Sequence, residues 1–280
     1  MKPARRFSAN LGFLWTDRAL PDAIRAAKAA GFAAVECHWP FDIARADIAT
    51  ALADTGLRML GLNTRRGDVA AGDNGLAALP DRVEAARAAI DEALAYARAI
   101  GADSVHVMAG KAQGAAAQAV FVDNLRHACE QAAKTGQTIL IEPLNPQDAP
   151  GYFLNSTAQA AALIDQIGAP NLRLMFDCYH VGRTEGDVIA RLEALRPIIG
   201  HIQFAAVPDR GPPDHGTLDY RAVFDALDRI GWDRPLGAEY RPIGATDDSL
   251  GWMAQLGARH PSETRAASTA FSRQPGDLAP

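Results

Sequence analysis

The sequence predicts a closed (β/α)8 barrel. Short apolar runs alternate with amphipathic, alanine-rich segments from one end to the other, giving eight strand–helix units in about 255 residues, the size of such a barrel. The helical segments stop at glycines such as Gly31, Gly56, Gly101, Gly136, Gly168 and Gly231, as helices commonly do. The turn after the first apolar run, Asn10-Leu11-Gly12-Phe13-Leu14-Trp15, is aromatic and lacks the glycine-rich phosphate turn of a doubly wound sheet, the other fold that this alternation admits.

In order, strands are expected over 7–11, 34–39, 58–64, 104–108, 138–142, 172–177, 200–205 and 235–240. The fifth is the most sharply marked. Thr138-Ile139-Leu140-Ile141 runs into Glu142 and then Pro143, and proline has no N–H for a sheet ladder, so this buried strand should end at the acid. Helices are expected over 20–30, 43–55, 81–100, 116–134, 157–167 (capped by Ser156), 187–195, 220–230 and 248–256. Two loops, 65–79 and 143–155, are long for βα connections, a length that tends to go with function, and they are expected to close over the site. The barrel is assigned to residues 1–257 as a single domain and 258–280 to a flexible tail, because the tail is rich in Ser, Thr, Ala, Arg and Pro without periodicity.

Composition narrows the function. With 48% hydrophobic and 22% charged residues the chain has ample material for a core. A net charge of -5 gives no basic excess, so nucleic acid is not expected as a partner. No apolar run approaches the roughly 20 residues of a membrane span. Cys37, Cys129 and Cys178 are scattered without a CxxC, which reads as buried thiols in a reducing cytoplasm. A homo-oligomer is compatible with the sequence.

The chemistry is expected where strands end, because barrel enzymes build their sites at the carboxyl ends of the strands. The last four strands each end on an oxygen-bearing side chain: Glu142, Asp177, Gln203 and Glu239. Adjacent strand ends lie only about 5 Å apart, so these groups converge. Three crowded carboxylates repel unless one takes a proton or a cation sits between them, and all-oxygen ligation suits Mg2+ or Mn2+. His180, three residues beyond Asp177, is placed to reach substrate or to support the metal site, and Arg210 to pair with a substrate carboxylate. His106 and Lys111 lie on and just past strand four, and Asn63 near the end of strand three; Asn10, Trp15 and His38 stand at or beyond the first strand ends, in position to line the mouth. His201, two residues before Gln203, is read either as a further ligand or as a core histidine.

Over residues 7–256 the chain resembles the hydroxypyruvate isomerases of the xylose isomerase-like barrel superfamily. The marks are Phe7-Ser8-Ala9-Asn10-Leu11, Ala33-Ala34-Val35-Glu36, Gly67-Asp68 with Ala71-Gly72-Asp73, His106-Val107-Met108-Ala109-Gly110 and Ile141-Glu142-Pro143. Further along come Pro150-Gly151-Tyr152-Phe153-Leu154, Asp177-Cys178-Tyr179-His180, Gly200-His201-Ile202-Gln203, Val207-Pro208-Asp209-Arg210, Glu239-Tyr240-Arg241-Pro242 and Leu250-Gly251-Trp252. The resemblance implies a divalent metal held by Glu142, Asp177, Gln203 and Glu239, with Glu142 and Glu239 as the proton-transfer pair. It implies an aldose–ketose type isomerisation of a small 2-keto-3-hydroxy acid, hydroxypyruvate giving tartronate semialdehyde. One departure bears on substrate: where the family usually reads Asp-Thr-Gly-Glu, this chain reads Asp214-His215-Gly216-Thr217. The rival readings are a 2-oxo-tetronate isomerase or keto-sugar 3-epimerase of the same superfamily, an abasic-site endonuclease of related shape, and a non-catalytic binding barrel.

Overall fold

The structure, a computed structural model, describes residues 4–258. The proposed tail lies, from residue 259 on, outside the described residues. Among the described residues nine parallel strands form one sheet: β1 (Phe7–Asn10), β2 (Ala34–Glu36), β3 (Arg58–Met59), β4 (Gly61–Asn63), β5 (Ser104–His106), β6 (Thr138–Ile141), β7 (Leu172–Asp177), β8 (Ile199–Phe204) and β9 (Leu236–Ala238). Their spatial order is β3-β2-β1-β9-β8-β7-β6-β5-β4. β3 pairs with β2 and β4 with β5, and only Leu60 separates β3 from β4 along the chain. The two are therefore one stave broken at Leu60, and the barrel has eight staves. The expected third strand, 58–64, runs through that break. Leu60 N–H donates to the Val35 carbonyl and Cys37 N–H to the Gly61 carbonyl, so the ladder continues across the break.

The helices are α1 (Leu20–Ala29), α2 (Arg45–Thr55), α3 (Val83–Ile100), α4 (Gly114–Ala133), α5 (Thr157–Ile167), α6 (Cys178–Thr184), α7 (Val188–Leu195), α8 (Tyr220–Arg229) and α9 (Trp252–Leu256). Two differences from expectation have local causes. α6 begins directly after β7, because the Asp177 side chain accepts from Tyr179 N–H and caps a new turn. The expected last helix, 248–256, starts later: Thr246–Ser249 form a 3-10 turn, and Ser249 Oγ donates to the Thr246 carbonyl before α9 begins.

Small and branched residues fill the space between strands and helices. Phe7, Phe204, Phe224 and Trp252 pack edge-on or tilted around one another at centroid separations of 4.8–5.8 Å, under α8 and α9. Arg5, buried beside them, bridges the chain ends: its guanidinium binds Asp225 and Asp228 and the carbonyls of Leu256 and Ala258. The three cysteines are free and buried. Among the described residues no helix is long and apolar enough to cross a membrane.

Candidate active site

The register brings the polar strand ends to one level. Asp177 pairs with Gln203 across β7 and β8, Gln203 pairs with Gly237 across β8 and β9, and Glu142 and Glu239 follow β6 and β9 directly. All four are buried. Buried polar atoms are nearly always paired, because leaving one unsatisfied costs roughly 1–3 kcal/mol. Here Glu142 Oε1, Asp177 Oδ2 and Gln203 Oε1 are buried with no hydrogen-bond partner. Asp177 shows how selective this is: its Oδ1 is taken by Tyr179 N–H at 2.8 Å while Oδ2 is left open.

Glu239 is held differently. Arg210 Nη2 donates to its Oε2 at 2.6 Å, and Asn10 Nδ2 to its Oε1 at 2.7 Å, with His38 Nε2 at 3.2 Å. His38 lies against Gly12, where a Cβ would fall 2.1 Å from its Nδ1; only glycine admits the ring there. Burial opposes the charge on Glu239, yet Arg210 and then His38 outweigh it and hold the carboxyl well below the usual range. Burial, then the charge of Glu239, pushes Glu142 and Asp177 the other way, above the usual carboxylate range.

Arg210 is clamped between the rings of Phe13 and Tyr179, its guanidinium carbon 4.6 and 5.0 Å from their centroids. Its backbone sits in the left-handed region at φ 59°, fixed by Arg210 N–H to the Ala206 carbonyl and Arg241 N–H to the Arg210 carbonyl. Besides Glu239, its charge lies 3.8 Å from Asp177 and 3.7 Å from Asp148.

The buried histidines His106 and His180 differ in what fixes them. His106 Nδ1 is 3.7 Å from Glu142 Oε2, and neither ring nitrogen has a hydrogen-bond partner. His180 Nε2 lies 3.8 Å from Glu142 and 3.7 Å from Asp177, and one atom from each of these three residues can be chosen within 4.8 Å of the others, close enough to hold a metal. Asn145 decides the role of His180. Its backbone N–H, which can only donate, points at His180 Nδ1 at 3.0 Å. Nδ1 is therefore the bare nitrogen and Nε2 carries the proton. Burial, followed by Arg210, lowers His180 to about 3, so the ring is neutral and Nε2–H faces the acids as a donor. Distance alone would make His180 a ligand; its tautomer makes it a hydrogen-bond donor.

The remaining candidates fall around this centre. Asn63 lines the barrel interior with His106, Asn10 and Gln203. Lys111 is exposed at an isolated bridge to Tyr152, with Nζ beside Gly72 of the 65–79 loop. Neither shows a bond to the acids. Trp15 is buried, its backbone N–H donating to Thr246 Oγ1 and its indole N–H to Asp247. His201 is buried and pairs with Glu36 at 3.1 Å, facing the interior below Gln203. The two long loops are fastened to the end of β5: Ala77 and Ala78 N–H donate to Met108 and Ala109 carbonyls, Ala109 N–H donates to the Tyr152 hydroxyl, and Phe153 N–H to the Gly110 carbonyl. The segment 67–71 is exposed at the tip of the first loop. At the family departure, His215 bonds Asp209 and Asp214, and Thr217 Oγ1 donates to the Val207 carbonyl.

Sequence reading did not single out Asn145, Asp148, Phe13, Tyr179 or Glu36 as site residues. Asn145 carried a signal, standing three residues past Glu142 in the loop after β6, but its target is a ring nitrogen that only the fold brings to it.

A closed barrel whose mouth gathers buried acids and open oxygens is the frame of an enzyme site, and Glu142, Asp177 and His180 stand close enough together to hold a metal. The chain belongs to the xylose isomerase-like TIM barrel family, whose model matches residues 24–256. It is 44% identical over 245 residues to a 2-oxo-tetronate isomerase of Cupriavidus necator, covering 86% of this chain and 94% of that protein. It is 35% identical over 246 residues to the hydroxypyruvate isomerase of Escherichia coli, covering 86% and 95%. The crystal structure of an AP endonuclease, family 2, from Brucella melitensis superposes with a TM-score of 0.87 at 35% identity, covering 91% of this chain and 100% of that one. With curated relatives of this kind over most of its length, the chain is an isomerase.

Proposed function

We propose that this protein interconverts a small 2-keto-3-hydroxy acid and its 2-hydroxy-3-oxo isomer, with hydroxypyruvate and tartronate semialdehyde as the pair. The observation that carries the reading is the set of three buried, partnerless oxygens, Glu142 Oε1, Asp177 Oδ2 and Gln203 Oε1, beside the paired Glu239. Two repelling acids and an amide oxygen, all unsatisfied, fit a hard divalent cation, Mg2+ or Mn2+. Glu142, Asp177 and Gln203, with Glu239 beside them, would hold it. When bound, such an ion supplies Lewis-acid polarisation of the substrate carbonyl.

The chain's own groups carry the protons. Glu142 and Glu239 stand on either side of the mouth, from β6 and β9. One glutamate removes a proton from C3 of hydroxypyruvate, and the C3–H electrons move to form an enediol. The other glutamate delivers a proton to C2, and the hydrogen of the C3 hydroxyl passes to the C2 oxygen, so that C3 becomes the aldehyde and C2 carries the hydroxyl. The opposite pKa directions of these two acids are the arrangement that acid–base pairs use. His180 Nε2–H would donate to a substrate oxygen, and Arg210, with its buried Nε unpaired, would balance the substrate carboxylate. His106, Asn63 and Lys111 are proposed as further substrate contacts.

A second reading, 2-oxo-tetronate as substrate, is favoured by the higher identity to the Cupriavidus enzyme and by Thr217 in place of the family acid. NMR product analysis with each acid offered separately distinguishes them. Turnover of hydroxypyruvate that EDTA abolishes and Mg2+ or Mn2+ restores is expected. No turnover of either acid in the metal-loaded protein would contradict the proposal.

A further inference from the structure

Below the mouth lies a second buried polar layer that the proton-transfer chemistry does not use. Glu36, at the end of β2, is buried and reaches across the barrel interior. Its two oxygens accept from three donors on two other strands: Ser8 Oγ at 2.9 Å, His201 Nε2 at 3.1 and 3.2 Å, and Gln203 Nε2 at 2.8 Å. The space for this cluster is kept by Gly237 on β9, where a Cβ would fall 2.4 Å from Glu36 Oε1 and 2.9 Å from both Gln203 Cγ and His201 Nε2.

An ionised carboxylate only accepts. The end of the Gln203 amide facing Glu36 must therefore be the NH2 group. The same NH2 stands 3.4 Å from Glu239 Oε1, so both acceptors belong to the nitrogen end of the amide. The amide oxygen is the other end, buried and without a partner. A glutamine side chain has two ends of nearly equal size, and only the oxygen can ligate a cation. Without a fixed acceptor at the NH2 end, either end can face the acids.

We infer that Glu36 is a positioning residue: it fixes the orientation of the Gln203 amide so that Oε1, and not the NH2 group, faces the cation site formed with Glu142 and Asp177. The inference rests on the cation site proposed above. Ser8 and His201 act through Glu36, donating to its carboxylate oxygens and holding that side chain in place.

The test is Mn2+ binding to metal-free protein, read by electron paramagnetic resonance and calorimetry, together with the melting temperature of the metal-free state. Mn2+ binding by the parent, and its loss in Glu142→Gln, tests the cation site itself. In Glu36→Gln, a nearly isosteric change, Mn2+ affinity should fall about 10- to 100-fold, the range for lost outer-shell partners, while the metal-free melting temperature stays close to the parent's. The double variant Glu36→Gln with Gln203→Glu keeps one carboxylate and one amide in the same places with their roles exchanged. The carboxylate at 203 presents oxygen whichever way it turns, so Mn2+ affinity should return to the parent level or better. If Glu36→Gln does not fold, the double variant alone decides by the same criterion. Parent-like Mn2+ affinity in Glu36→Gln, or a double variant that folds and does not recover it, overturns the inference while leaving the cation site standing.

Discussion

At the scale of single residues, the site works by leaving selected atoms unpaired. Tyr179 N–H takes one oxygen of Asp177 and leaves the other; Asn145 takes one nitrogen of His180 and so fixes the proton on the other. The contrast between these two side chains is measurable. Asp177→Asn should weaken Mn2+ binding about 10-fold or more, by analogy with lost outer-shell partners as a lower bound. His180→Gln, which keeps a donor there, should leave Mn2+ affinity within about threefold while lowering turnover, because general placement of a donor at a reacting oxygen is worth about 100-fold or more. Equal losses of Mn2+ affinity in both variants would show that His180 is a ligand after all.

A second residue-scale effect concerns pH. The hydrogen bond that His215 Nε2 donates to Asp209 raises the pKa of His215, with Asp214 adding to it, and the same bond lowers that of Asp209 against the opposing effect of burial. The sign follows from linkage: a histidine raised on folding stabilises the fold below its unfolded pKa, near 6.5, and loses that contribution as pH rises through the folded value. The pair is about half-exposed, so screening keeps the gain small. NMR titration should place His215 above 6.5 in the parent and bring it down in Asp209→Asn; an unchanged midpoint would refute the pairing.

At the scale of elements, what could be read from sequence depended on whether the cause was local. The strand ending at Glu142 was legible because Pro143 cannot extend a ladder, and α5 because Ser156 caps it through Gln159 N–H. The break at Leu60 was not legible: nothing in Arg58-Met59-Leu60-Gly61-Leu62 is unlike a strand, and the break is set by neighbours on both sides. α6 was hidden because Asp177 was expected to serve as a strand-end ligand, and it also serves as a cap. The converging acids were legible from strand ends alone, whereas the partners of Glu239 come from β1, the β2 loop and the β8 loop, far apart in sequence. The shared aromatic layer under α8 and α9 is a clean test of the packing described: Phe204→Ala, with no exposure and contacts to Phe7, Tyr220, Phe224 and Trp252, should cost about 3–5 kcal/mol in denaturant unfolding. A loss under about 1 kcal/mol would contradict that packing.

At the scale of the whole molecule, the barrel concentrates unsatisfied negative charge at one end of a chain of net charge -5. A cation that binds the folded state alone stabilises it by mass action, about 2.7 kcal/mol at a hundredfold excess over its Kd. Mn2+ should therefore raise the melting temperature of the parent and leave that of Asp177→Asn nearly unchanged; a rise in both would place the ion elsewhere. The similarity to the Brucella AP endonuclease establishes shared architecture, and a net charge of -5 gives no basic excess of the kind that holds a polyanionic duplex. All of this turns on whether the open oxygens at the mouth hold a cation that the reaction needs. The most direct measurement is hydroxypyruvate followed by proton NMR in D2O with EDTA-treated and Mg2+-reloaded protein. The account predicts tartronate semialdehyde with deuterium at C2 from the reloaded protein and none from the treated one. Equal conversion in both, or none with Mg2+ or Mn2+ present, would contradict it.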